Sequence, residues 1–227
     1  MGSKIFHSPF FMLVGDCVTI MTIDPSFAHF AITIYDGDKT IYLDMVSFSL
    51  GDTVGFEKIY SACHQIWEQL RKKLRGIGVG DKILIDTVFS EVSPPQGSFS
   101  PGLYALDVFI LSKLFDEFQC IKDIYCISPS YLSLVHGTRK YKKSDSTALA
   151  KYFMDNVLKT DFEIRIPGNV SKNGRHTKGT LNNDKAESFL FMMRAFSKFD
   201  VGGKRDSIIS EVSGFGHEAE RLLCHRE

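Results

Sequence analysis

Four acidic side chains carry most of the chemistry this sequence offers: Asp24, Asp86, Asp184 and Glu187. Asp24 follows the apolar run Ile20-Met21-Thr22-Ile23 and precedes Pro25-Ser26, and Asp86 closes Ile83-Leu84-Ile85. Both read as carboxylates at the ends of buried strands. Asp184 and Glu187, three apart at the start of a helix-forming stretch, share one helical face. A carboxylate ending an apolar strand is costly near a core unless a cation stands beside it. Several crowded together also raise one another's pKa. Hard divalent cations with oxygen ligands remove that penalty, and Mg²⁺ suits one or two carboxylates together with substrate phosphates. Two such ions about 3.5–4 Å apart activate a water and stabilise the leaving oxygen of a phosphodiester. Taken singly, each acid has a plainer role: Asp24 as a turn former before Pro25, Asp86 as a strand terminator, Asp184 as an acid favoured by the helix dipole. Glu91 is a rival for the second position but reads as part of the following loop. The joint reading requires all four carboxylates on one side of the molecule.

The elements that would hold them follow from periodicity. Cys17–Ile23 reads as a buried strand, His29–Tyr35 as a second, and Asp36-Gly37-Asp38 as a hairpin turn into Thr40–Val46. Gly55–Leu74 has helical apolar spacing (Ile59, Ala62, Ile66, Leu70, Leu74), ends in cations and is closed by Gly76 and Gly78. Lys82–Asp86 is predicted as the fourth strand. Ser93-Pro94-Pro95-Gln96-Gly97 is a loop before a helix from Pro101 to Phe118. A fifth strand is expected at Asp123–Ile127, a helix over Lys142–Leu158, a polar contact loop at Gly168–Gly179, and a last helix from Asn182 or Asn183 to Phe196. The expectation is an α/β fold: a mixed five-stranded sheet, with an antiparallel meander of three strands and then two further strands, flanked by helices. Residues 1–200 form the domain and 201–227 a C-terminal tail with room for one short helix.

Composition excludes several classes. The 227 residues are 44% hydrophobic and 24% charged, an ordinary globular mix. The chain has no apolar run of about 18 residues for a membrane span, and its start lacks a signal-peptide cleavage pattern. Five scattered cysteines without a C-x-x-C pair indicate reduced thiols in a cytosol-like compartment. No H-x-x-x-H or H-E-x-x-H pairing supports a zinc hydrolase, and no Gly-rich phosphate loop near Asp24 or Asp184 supports a sugar-kinase or actin-like ATPase. Net charge is zero, yet Thr138–Lys178 holds ten basic and four acidic residues. Such a patch meets phosphates or is simply a solvated face.

Four segments, in order, resemble a known family. Ile23-Asp24-Pro25-Ser26 is similar to the I-D-P-G opening of RuvC-type Holliday junction resolvases, which have the RNase H-like fold. Ile85-Asp86-Thr87-Val88-Phe89 resembles their I-E-x-V-F segment, Val135-His136-Gly137 through Lys143 their V-x-G-x-x-x-x-x-K segment, and Asp184-Lys185-Ala186-Glu187 their D-x-A-D motif. The resemblance spans about Cys17 to Phe196. It implies Asp24, Asp86, Asp184 and Glu187 as ligands of two Mg²⁺ ions, with Mn²⁺ substituting, and Lys143 beside the scissile phosphate. It further implies Phe89 as a wedge stacking on bases, against its plainer role as a core aromatic, and Arg139, Lys140, Lys142 and Lys143 as DNA contacts. Lys143 could equally be a solvated helix-start residue.

The implied activity is a metal-dependent DNA endonuclease that resolves four-way junctions by paired nicks. The alternatives are another RNase H-like nuclease, acting on flaps or RNA–DNA hybrids, and a non-catalytic binding module. A two-fold symmetric substrate calls for a homodimer; the apolar helix bearing Leu103, Leu106, Ile110, Leu111 and Leu114 either contributes to it or packs within the monomer. Asp86 in place of Glu, Glu187 in place of Asp, Ser26 in place of Gly, and Lys185 inside the last motif mark a divergent branch of viral or phage kind, acting in the host cytoplasm.

Overall fold

The computed structural model describes residues 18–49, 55–91, 101–127, 143–158, 162–168, 173, 175 and 177–199. The chain before residue 18, the loop around Pro94-Pro95, the stretch 128–142 and the tail from 200 onward lie outside the described residues.

Three consecutive strands form the expected meander: β1 (Ile20–Asp24), β2 (His29–Tyr35) and β3 (Thr40–Ser47), each antiparallel to the next. Asp36 makes the β2–β3 turn by accepting from the backbone N–H of Asp38 and Thr40. Helix α1 (Phe56–Ile77) follows. Its stripe Ala62, Cys63, Ile66, Trp67, Leu70 and Leu74 is buried at helical spacing, and Gly78 caps it in the left-handed conformation.

The chain re-enters the sheet as β4 (Thr87–Glu91), parallel to β1. After α2 (Pro101–Glu117) comes β5 (Asp123–Ile127), parallel to β4. Helix α3 (Lys143–Tyr152) runs into a π-helical turn, Phe153–Val157. A short strand, β6 (Glu163–Arg165), pairs with the start of β3, and α4 (Asn183–Phe199) completes the order.

Among the described residues the sheet has six strands, in the order β5-β4-β1-β2-β3-β6. The fold is thus the expected RNase H-like α/β arrangement, with β6 added at the meander edge. Three residues with one half-buried Ile164 carry too little apolar pattern to announce that strand.

The sheet separates two cores. Met21, Ile23, Ile32, Ile34, Val46 and Val88 pack beneath α1 and α2, while Ile20, Tyr35, Leu43 and Phe89 pack against α3 and α4. Period-2 alternation along each strand makes this division. Arg71 and Arg75 both reach Glu117, joining α1 to α2.

Two expectations need correction. The fourth strand is Thr87–Glu91 rather than Lys82–Asp86. Residues 84–86 belong to no strand, and the ladder with β1 begins only where Asp86 and Thr87 donate to the Thr19 carbonyl. The apolar residues of α2 do not form a free surface either. Leu106, Ile110, Leu111 and Leu114 are buried within this chain and Leu103 is partly buried, so the outward face offers Tyr104, Val108 and Phe115 instead.

Candidate functional site

The register of β1 against β4 decides which acids can meet. Ile20 faces Thr87, and each following pair steps along to Ile23 opposite Ser90. The next step sets Asp24 beside Glu91, the last residues of their strands. Both share the face of Thr22 and Phe89, two residues earlier, which is the face covered by α4: Thr22 Oγ1 donates to the Ser188 carbonyl (3.0 Å) and Phe89 packs in the α4 core.

Helix α4 runs antiparallel to β1. Its C-terminal Phe196 sits edge-on to Tyr35, 5.1 Å between centroids, and Tyr35 pairs with Ile20 at the start of β1. Ser188 lies over Thr22 and Thr33, whose Oγ1 donates to Ser188 Oγ at 3.0 Å. Asp184, one turn before Ser188, therefore comes to the sheet edge where Asp24 and Glu91 end.

The first turns of α3 and α4 are tied together. Ser146 Oγ donates to Glu187 Oε1 (3.0 Å) and Thr147 Oγ1 to Asn183 Oδ1 (2.7 Å). Asn182 caps α4 by accepting from the Lys185 N–H at 3.0 Å. Lys143 opens α3, so its backbone starts the helix bound to this edge; its side chain lies outside the described residues, as do Arg139, Lys140 and Lys142.

Asp24, Asp184 and Glu187 thus come to one edge and one face. Asp86 does not join them. It sits at the opposite end of β1, where Oδ2 accepts from the Thr19 N–H (3.1 Å) and Oδ1 pairs with Lys122 (2.9 Å). Five strand residues separate that end from Asp24, roughly 16 Å along the sheet. Asp86 also has the parity of Val88 and Ser90, which face α1 and α2. Asp86 thus stands apart from the other three acids, and the carboxylate that ends β4 on the Asp24 side is Glu91.

Phe89 is corrected too. It is a mid-strand residue, fully buried and stacked on Tyr125 with centroids 5.4 Å apart, so it is a core aromatic and no wedge.

The donor set at the edge is all carboxylate, the chemistry a hard divalent cation requires. The side chains do not converge as placed: among the described residues, no group of three His, Cys, Asp or Glu is arranged to hold a metal ion. Glu187 is turned to Ser146.

Beneath Glu91, on the opposite face, Ser90 Oγ donates to Asp107 of α2, which is 3% exposed. Burial pushes the Asp107 carboxyl up to about 6, against the Ser90 hydrogen bond, which pulls it down. Its folded value lies above the ordinary 3.8, so the native state gains a proton between those values. The cost of the buried charge is then full above about pH 6 and absent below about pH 4. Asp107→Asn is expected to stabilise the fold at pH 8 by about 1–3 kcal/mol, with the gain vanishing near pH 4. Thermal melts of both proteins across that range check this.

No family model and no curated protein matches the chain. Among solved structures, three that it is similar to are Holliday junction resolvases. It is similar to Thermus thermophilus RuvC in complex with a Holliday junction substrate (9% identity, TM-score 0.46, covering 81% of this chain and 97% of that one). It is similar to a second Thermus thermophilus RuvC structure (11%, 0.48, 81% and 98%). The third is the yeast mitochondrial Holliday junction resolvase Ydc2 (12%, 0.43, 93% and 87%).

Proposed function

We propose that this chain is a divalent-metal-dependent endonuclease that nicks branched DNA, with the four-way junction as its substrate and a homodimer as its working form. The observation that carries the reading is the parallel β1–β4 ladder, whose two strands end at Asp24 and Glu91 on the side where α4, with Asp184 and Glu187 in its first turns, covers the sheet. The preference for junctions rests on the ordered motif resemblance.

Asp24, Glu91, Asp184 and Glu187 would hold Mg²⁺, or Mn²⁺ in its place. Bound there, a pair of ions would supply an activated water and charge stabilisation at the leaving oxygen. The chain's own part is positional. The β1–β4 ladder fixes two carboxylates, the Thr22–Ser188 and Thr33–Ser188 contacts set the height of α4, and Ser146 orients Glu187. Tyr104, Val108 and Phe115 on α2 offer exposed apolar surface to a second copy.

An immobile four-way junction incubated with the protein tests the reading. Expected are two nicks on strands of like polarity, lost in EDTA and restored by Mg²⁺ or Mn²⁺. Preferential cutting of a Y-flap or an RNA–DNA hybrid would select another nuclease activity of this fold. Junction binding without cutting in either metal would leave a binding module.

A further inference from the structure

A second feature of the same sheet edge has no part in the carboxylate chemistry. A polar pocket of about 340 Å³ lies beside the last residues of β3, between α1, the start of α4 and the loop segments 167–168 and 177–180. Three lysines line it, Lys73, Lys178 and Lys185, against one carboxylate, Asp44.

That carboxylate is already engaged. Both its oxygens lie 2.9 Å from Lys73 Nζ, and Oδ1 also accepts from the Met45 N–H. Lys185 is only 7% exposed, yet among the described residues its ammonium makes a single hydrogen bond, to the Thr180 carbonyl at a long 3.4 Å. An ammonium has three donors, and a buried charge this poorly satisfied is costly.

The wall opposite is built for close approach. A Cβ on Gly168 would run into the Thr177 carbonyl, and one on Gly179 into that of Ile166. These glycines let the segments 166–168 and 177–179 press together along one wall of the pocket.

We infer that this pocket seats a backbone phosphate of the nucleic acid strand whose cleavage is proposed above. The inference rests on that reading for the identity of the strand. A phosphate oxygen between Lys185 and Lys178 supplies the acceptors that Asp44 cannot. Position agrees: Met45 pairs with Ala31, which pairs with Asp24, so the pocket wall lies two strand spacings from the carboxylates, roughly 10 Å. A strand rising about 3.4 Å per nucleotide covers that in about three nucleotides. Lys185, which interrupts the acidic motif, then faces phosphate while its neighbours Asp184 and Glu187 face the scissile site.

The test uses the full chain in EDTA, so that binding is read without cutting. A labelled four-way junction and a single-stranded oligonucleotide are titrated from 50 to 200 mM NaCl with wild type, Lys178→Gln and Lys185→Met. Each variant is expected to flatten the log–log salt slope by about one and to weaken binding about three- to tenfold on both DNAs, whatever their sequence. Lys178 is exposed, so its variant is expected to keep the fold; Lys185→Met keeps the apolar stem, and a melting curve of that variant checks that it is folded.

Wild-type slopes and affinities in both variants would overturn the inference. So would inorganic phosphate raising the Tm of wild type but not of Lys185→Met while DNA binding stays unaltered, since the pocket would then serve free phosphate. Flattened slopes in a protein that cuts no DNA in Mg²⁺ would uphold the pocket and sink the nuclease reading, which keeps the two failures distinct.

Discussion

Glu91→Gln is expected to slow junction cutting by about 10²–10³-fold, the size of effect seen when one charge-stabilising group is removed from an active site. Asp24→Asn should do the same, whereas Asp86→Asn should stay within about threefold of wild type. The contrast follows from register. Asp24 and Glu91 end neighbouring parallel strands, and Asp86 stands at the far end with Lys122 and the Thr19 N–H. An asparagine at 86 still accepts from Thr19, and the lost ion pair is partly exposed, costing well under about 1 kcal/mol. Cutting rates of the three variants in saturating Mg²⁺ settle the matter. Loss of cutting in Asp86→Asn with retention in Glu91→Gln would refute the site.

Phe89→Ala should act on folding and not on DNA distortion. The ring is fully buried beneath α4 and stacked on Tyr125. Truncating a buried Phe costs about 3–5 kcal/mol through lost transfer energy and the cavity left behind. In a domain of this size the Tm should fall by about 6–20 °C. Phe89→Leu refills much of the volume and should recover most of the loss, with junction cutting at low temperature close to wild type. A wedge residue would show the reverse: an unchanged melt and impaired cutting in both variants. Thermal denaturation read beside cutting at 20 °C separates the two roles.

One feature of the chain moves both Phe89 and Asp86 from the places that local pattern predicts. From Ile83 to Glu91 the chain has two adjoining strand-like runs, Ile83-Leu84-Ile85 and Thr87-Val88-Phe89. Ile83 and Ile85 are buried and Leu84 is 53% exposed, so the first run alternates as a strand would. Only the second pairs with β1. Moving the strand forward puts Phe89 in the core, brings Glu91 to the strand end, and turns Asp86 toward the other sheet face. Because side chains alternate, a small error in register changes both the face and the end of the sheet at which a residue lies.

Lys185 shows a different limit. Its presence inside the acidic motif was visible as a departure, but its meaning depends on Lys73 in α1, Asp44 in β3 and the carbonyl of Thr180. No local pattern joins residues so far apart along the chain.

What the sequence determined by itself was whatever depends on neighbours along the chain. The β1–β2–β3 meander with its Asp36-Gly37-Asp38 turn, the amphipathic stripe of α1, and the spacing that puts Asp184 and Glu187 on one helical face all follow from periodicity and turn chemistry. What only the tertiary structure decided was which strand residues stand opposite one another and which helix covers them. Glu91 beside Asp24, the descent of α4 onto Thr22, and the meeting of Lys73 with Lys185 are of that kind. Strand pairing is chosen by the burial of whole faces and by long-range hydrogen bonds, and many registers of one local sequence satisfy the same local preferences.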